Sequence, residues 1–60
     1  MMNDYQIDYF VVNVSGEIID NDIIEITADD ERSARTQAMN WLQKKHKSGG
    51  WRIESITQIS

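Results

Sequence analysis

A strand that is apolar on both faces needs a cover on each side, and residues 5–14 form such a strand in a chain too short to supply both covers. In an extended backbone, Tyr5, Ile7, Tyr9 and Val11 fall on one side, with Phe10, Val12 and Val14 on the other. The aromatic and β-branched content marks a strand over about 4–14 and favours a central place in a sheet. Ser15-Gly16 then reads as a turn, with glycine free to take positive φ, and residues 17–27 as the returning strand.

A two-residue turn would set Val14 opposite Glu17, Ile7 opposite Ile24 and Tyr5 opposite Ile26. The same register sets Asp20 against Val11 and Asp22 against Tyr9, which is poor pairing. A bulge around Asp20-Asn21-Asp22 would repair it, because one extra residue flips the facing of every later side chain in the strand.

The next segment has the clearest periodicity. Asp29 suits a helix N-cap, and Asp30 and Glu31 in the first turn match the helix dipole. Ala34, Ala38, Trp41, Leu42 and Lys45 recur at helical spacing. Lys44, Lys45, His46 and Lys47 suit the C-terminal end, and Gly49 or Gly50 supplies the stop. The reading is a helix over about 29–47, with Trp41 in the core. A last strand covers about 51–59. Trp51 and Ile53 share one facing and Ile56 the other, so an irregularity is expected between them.

The order β-β-α-β, with its crossover in the usual right-handed sense, sets the third strand beside the first and antiparallel to it. The expected fold is α+β: one domain over 1–60, a three-stranded antiparallel sheet of order 2-1-3, and one helix on one face. Phe10, Val12, Val14 and Ile19 would then lie on the open face as an apolar patch of the kind that marks a subunit or partner interface.

Sixty residues bury only about 60% of their unfolded surface, so the core is marginal. Small domains often add disulfides, a metal or a second subunit. There is no cysteine and one histidine, which removes disulfides and the usual zinc sets and leaves association. The longest apolar run, residues 9–12, is far short of the ~20 needed to cross a bilayer. No signal peptide is read at the start, and a cytoplasmic location is expected. The Asn13-Val14-Ser15 acceptor would matter only in a secreted chain.

The net charge of −4 conceals a segregation. Residues 1–31 hold nine acidic side chains and no basic one, whereas residues 32–60 hold six basic side chains and one acidic. Capping accounts for Asp29, Asp30 and Glu31, and edge protection for Asp20 and Asp22. The functional alternative joins Asp8, Asp20, Asp22, Glu25, Asp29, Asp30 and Glu31 into one negative surface, with Trp51 as a contact anchor. Such a row of carboxylates can imitate phosphate charges before a nucleic-acid-binding site.

Chemistry is not visible. Numbered as an EF-hand loop from Asp20, the fifth position is Ile24 and the glycine position is Glu25, so calcium does not fit. The basic helix end gives too few phosphate contacts for direct nucleic-acid binding. His46 has no partner at nucleophile spacing, and no phosphate loop, dinucleotide turn or serine elbow occurs. Tyr5, Tyr9 and Phe10 read as packing rather than as base-stacking residues.

The expectation is therefore a non-enzymatic accessory protein without metal or cofactor. It would be an inhibitor or regulator of the sort phages and mobile elements encode, presenting acid to a basic site on another protein. The alternative is a homodimeric or antitoxin-like regulatory module associating through the open sheet face.

Overall fold

The structure, a computed structural model, describes residues 2–46 and 50–60. Strands β1 (Asn3–Val12) and β2 (Ile18–Ala28) form a hairpin, followed by helix α1 (Glu31–Lys45) and strand β3 (Gly50–Gln58). The sheet order is β2-β1-β3, and both pairings are antiparallel. The α+β fold is as read from the sequence, with the two-sided strand in the middle.

The hairpin register is the one a simple alternation dictates. Tyr5 pairs with Ile26, Ile7 with Ile24, Tyr9 with Asp22 and Val11 with Asp20. The two poor pairs are therefore real, and the expected bulge at residues 20–22 does not form. The irregularity lies nearer the turn, where Val12 pairs with Ile18 and Ile19 is the extra residue. Asp20 and Asp22 stay on the helix side of the sheet without being buried, because α1 does not reach them. Fifteen helical residues span about 22 Å, against about 37 Å for the eleven of β2. The hairpin overhangs its helix and sets the long axis of a 40 × 17 × 13 Å molecule.

The turn is longer than two residues. Asn13 N–H donates to the Glu17 carbonyl at 2.9 Å, and Gly16 N–H to the Asn13 carbonyl at 2.9 Å. The Asn13 side-chain oxygen accepts from the N–H groups of Ser15 and Glu17, both at 3.0 Å. Gly16 takes φ +87°, a left-handed conformation that favours glycine. The connection holds Val14 out of the sheet, 98% exposed, so this residue is not part of the open face.

In β3 the expected irregularity is present. Tyr9 pairs with Ile53 and Asp8 with Ser55, leaving Glu54 as the extra residue. The bulge returns Ile56 to the side shared by Ile53, opposite Ile7. The core then assembles on the helix side. Tyr5, Ile7, Ala28, Ala34 and Ala38 are buried together, with Ile24, Ile26, Ile53 and Ile56 packed against them. The small side chains of Ala34 and Ala38 allow the helix to approach the sheet closely, and Leu42 is fully buried one turn further on.

Several local expectations are corrected. The N-cap is Asp30, not Asp29; its carboxylate accepts from Ser33 N–H at 2.8 Å, and its carbonyl takes the first helical bond from Ala34. Trp41 is not core but 37% exposed, its ring edge-on to Tyr9 at 6.0 Å and below the Lys45 ammonium at 4.7 Å. The helix closes at His46, whose N–H donates to the Leu42 carbonyl at 2.8 Å. Lys47 and Gly49, expected at the helix end and its stop, lie outside the described residues. Gly50 is no helix stop. It opens β3 opposite Val12, where an added Cβ would meet Val12 Cγ2 at 2.6 Å. Close strand approach requires the glycine.

Candidate functional site: the open face of the sheet

The register sorts the residues facing away from the helix into rows. At one end, Asp4 pairs with Thr27, and Gln6 lies between Glu25 and Thr57. Next comes Asp8, between Ile23 and Ser55, and then Phe10, between Asn21 and Arg52. Val12, between Ile18 and Gly50, closes the turn end. No helix among the described residues covers this face.

Its polar end is internally bonded. Thr27 Oγ1 donates to Asp4 Oδ1 at 2.7 Å, and Ser60 Oγ to Asp4 Oδ2 at 2.9 Å. Ser55 Oγ donates to Asp8 Oδ2 at 2.7 Å, and Gln6 Nε2 reaches Asp8 Oδ1 at 3.4 Å. The Thr27 bond, then the Ser60 bond, holds the Asp4 carboxyl below its ordinary 3.8 and keeps it charged.

The turn end is apolar and less satisfied. Phe10 and Val12 are half-buried on the central strand, while Ile18 and Ile23 on β2 are 60% and 53% exposed. Two shallow hollows indent this half, each of about 210 Å³. The first lies between the Asp8 and Phe10 rows, lined by Asp8, Tyr9, Asn21, Asp22, Ile23 and Glu54. The second lies between the Phe10 and Val12 rows, lined by Phe10, Val12, Gly16, Ile18 and Arg52. Both are smaller than the ~300–1,000 Å³ of usual small-molecule pockets.

The residues expected to form one acidic surface are divided. Asp8 and Glu25 are on the open face, whereas Asp20 and Asp22 pair with helix-side residues. Each of the latter pair has a local role. The Asp20 carboxylate accepts from Asn21 N–H at 2.9 Å, and the Asp22 carboxylate from Ile23 N–H at 2.8 Å. On an edge strand, such bonds occupy donors that would otherwise template pairing with another chain. Burial, then Asp22, then Asp20 raises the Tyr9 phenol above its ordinary 10.0. Asp29, Asp30 and Glu31 cluster at the helix start, where Asp30 caps and the Asp29 carbonyl accepts from Asn3 Nδ2 at 3.1 Å.

Trp51 pairs with Val11 and is half-buried on the helix side, apart from the open face. Of the apolar set, Phe10 and Val12 take their expected places, Val14 is in the turn and Ile19 is the bulge residue. Sequence reasoning missed Ile18, Ile23, Arg52 and Glu54. A simple hairpin register pairs Ile23 with Asp8, so that position is legible from alternation. Ile18 and Glu54 depend on where the two bulges fall.

On the helix side, His46 lies 6.3 Å from the Tyr9 ring, and its Nε2 is buried without a hydrogen-bond partner among the described residues. No group of three or more metal-binding side chains occurs among them either. No described helix is long and apolar enough to cross a membrane. The chain matches no known protein family, no curated protein and no solved structure.

Proposed function

We propose that this protein acts by binding another protein through the open face of its sheet, without chemistry of its own. The observation that carries this reading is the turn-end half of that face. There Ile18 and Ile23 are more than half exposed and Phe10 and Val12 only half-buried, on the face that also carries the Asp8 carboxylate. Exposed apolar surface rimmed by polar groups is the usual mark of a protein interface.

The partner is basic at the contact. The face carries Asp4, Asp8 and Glu25 against one cation, Arg52, among the described residues, and the whole chain is at −4. Charge of this sign steers a positively charged partner and repels a second acidic one. An inhibitor or regulator that occupies a nucleic-acid-binding surface fits this chemistry.

The test is quantitative capture of partners on immobilised protein. Ile18→Asp with Ile23→Asp is compared with Thr36→Asp and Asn40→Asp on the exposed side of α1. A specific partner is lost with the sheet pair and retained with the helix pair. Equal capture by both removes the reading.

A homodimer through the same face is the second reading. Its support is the small core, seven buried hydrophobic residues among those described. Light scattering at micromolar concentration separates the two, since a strict monomer excludes the dimer.

A further inference from the structure

The two hollows succeed one another along the strands, and their linings differ in kind. The first is lined by Asp8, Asp22 and Glu54 beside Ile23, with Asp8 on the open face and Glu54 at the bulge of β3. The second is walled by Phe10, Val12 and Ile18, with Arg52 at its side. The pairs beneath them are Tyr9–Asp22 and Val11–Asp20, two residues apart on each strand. That separation is about 6.8 Å along a strand, close to the ~6 Å between side chains one turn apart on a helix.

We infer that the open face seats an amphipathic basic helix from its partner, lying along the strands. A Lys or Arg enters the Asp8–Glu54 hollow, and a large apolar side chain one turn away enters the Phe10–Val12–Ile18 hollow. This rests on the binding reading above and specifies its occupant.

Three observations support a helix of this chemistry. The opposite face is already covered by a helix, and a sheet enclosed by helices on both faces is a standard layered arrangement. An added strand would need a free edge; on β2 the Asp20 and Asp22 carboxylates already hold the N–H groups of Asn21 and Ile23, and on β3 the Glu54 bulge interrupts the ladder. A second copy is disfavoured by charge. It would bring Asp4, Asp8 and Glu25 of one open face against the same residues of another, each chain at −4.

Each hollow has room for a side chain and not for a larger ligand. The hollows supply complementary selectivity: a carboxylate pair rejects an acidic residue at one position, and the apolar walls reject a charged one at the next. This is the helix-in-groove mode, in which residues spaced by a turn anchor into successive pockets.

The experiment uses the full chain and a displayed library of 15-residue helical peptides randomised at four positions along one face. Selected peptides are expected to carry Lys or Arg one turn from Leu, Ile, Met or Phe. Their binding is expected to weaken about tenfold or more with Asp8→Asn and Glu54→Gln together, and likewise with Ile18→Lys. Circular dichroism and thermal melts confirm that each variant folds. The expected salt response is weaker binding as ionic strength rises.

Two results overturn the helix while leaving the binding face intact: ligands lost on Ile18→Lys that are acidic or extended, or a wild-type dimer that Ile18→Lys dissociates. Ligands indifferent to every one of these substitutions overturn the helix and the binding face together.

Discussion

The two ends of the open face share the same three strands and are built on opposite terms. At the polar end, two carboxylates of the central strand meet hydroxyls: Asp4 with Thr27 and Ser60, Asp8 with Ser55. The end is content with water as its other neighbour. At the turn end, Ile18 and Ile23 are more than half exposed, and Phe10 and Val12 are only half-buried. A solvated polar surface closes one end, while an apolar surface in water keeps a driving force for association at the other. One sheet face can thus combine a region that holds the strands in register with a region that binds.

The largest effect is expected where the turn end is most tightly built. Gly50→Ala drives a Cβ to 2.6 Å from Val12 Cγ2, and the β-branched Val12 has little freedom to yield. A loss of about 1–3 kcal/mol is expected by chemical denaturation, as for other overpacked sites. Gly50→Ala with Val12→Ala should recover part of it. Unchanged stability in Gly50→Ala would mean that the strands are not held this closely.

Acid should act on the polar end next. The folded Asp4 carboxyl titrates below its ordinary 3.8, so its stabilising contribution is full above that value. The contribution is lost as pH falls through the depressed folded value. Melting temperature should decline more steeply below about pH 4 in the native chain than in Asp4→Asn. Parallel curves would show that the Thr27 and Ser60 bonds add nothing.

A smaller effect distinguishes binding from folding. Ile18→Ser and Ile23→Thr sit on exposed positions of an edge strand and should change stability by no more than about 0.5 kcal/mol each, while removing partner binding. A large destabilisation would show that the apolar end packs for structure instead.

The smallest effect checks how the acids divide between faces. Asp20→Asn with Asp22→Asn should bring the Tyr9 ionisation back toward 10.0 in an ultraviolet pH titration. Asp8→Asn with Glu25→Gln should move it less, because those groups pair on the other face. An equal response would contradict the register.

Much of the fold was legible because periodicity is local. The two-sided apolar pattern of residues 5–14 placed β1 in the centre, and the crossover rule placed β3 beside it. The mismatch between Ile53 and Ile56 announced an irregularity in β3, and the structure puts it at Glu54. The poor Asp20–Val11 and Asp22–Tyr9 pairs suggested another bulge at residues 20–22; it falls at Ile19 instead, and the poor pairs persist because the helix is too short to bury both carboxylates. The N-cap missed by one residue, since Asp29 and Asp30 offer the same carboxylate and only backbone geometry separates them.

The candidate site was legible in kind more than in detail. An uncovered apolar face emerged from counting covers, and Phe10 and Val12 from alternation. Val14 was lost to a turn built on Asn13 hydrogen bonds, and Ile18 entered because the Ile19 bulge shifts the last pair. The segregation of charge along the chain did not become a single acidic surface in space.

By itself, the order of residues determined the elements, the hairpin pairing and a shortage of cover, which depend on neighbours in sequence or on chain length, and the crossover rule added β3 beside β1. Tertiary structure alone decided how far the helix reaches, which carboxylates share a face and where two hollows open. Those outcomes depend on the relative lengths of packed elements and on single-residue bulges, and one inserted residue reverses the facing of every side chain beyond it.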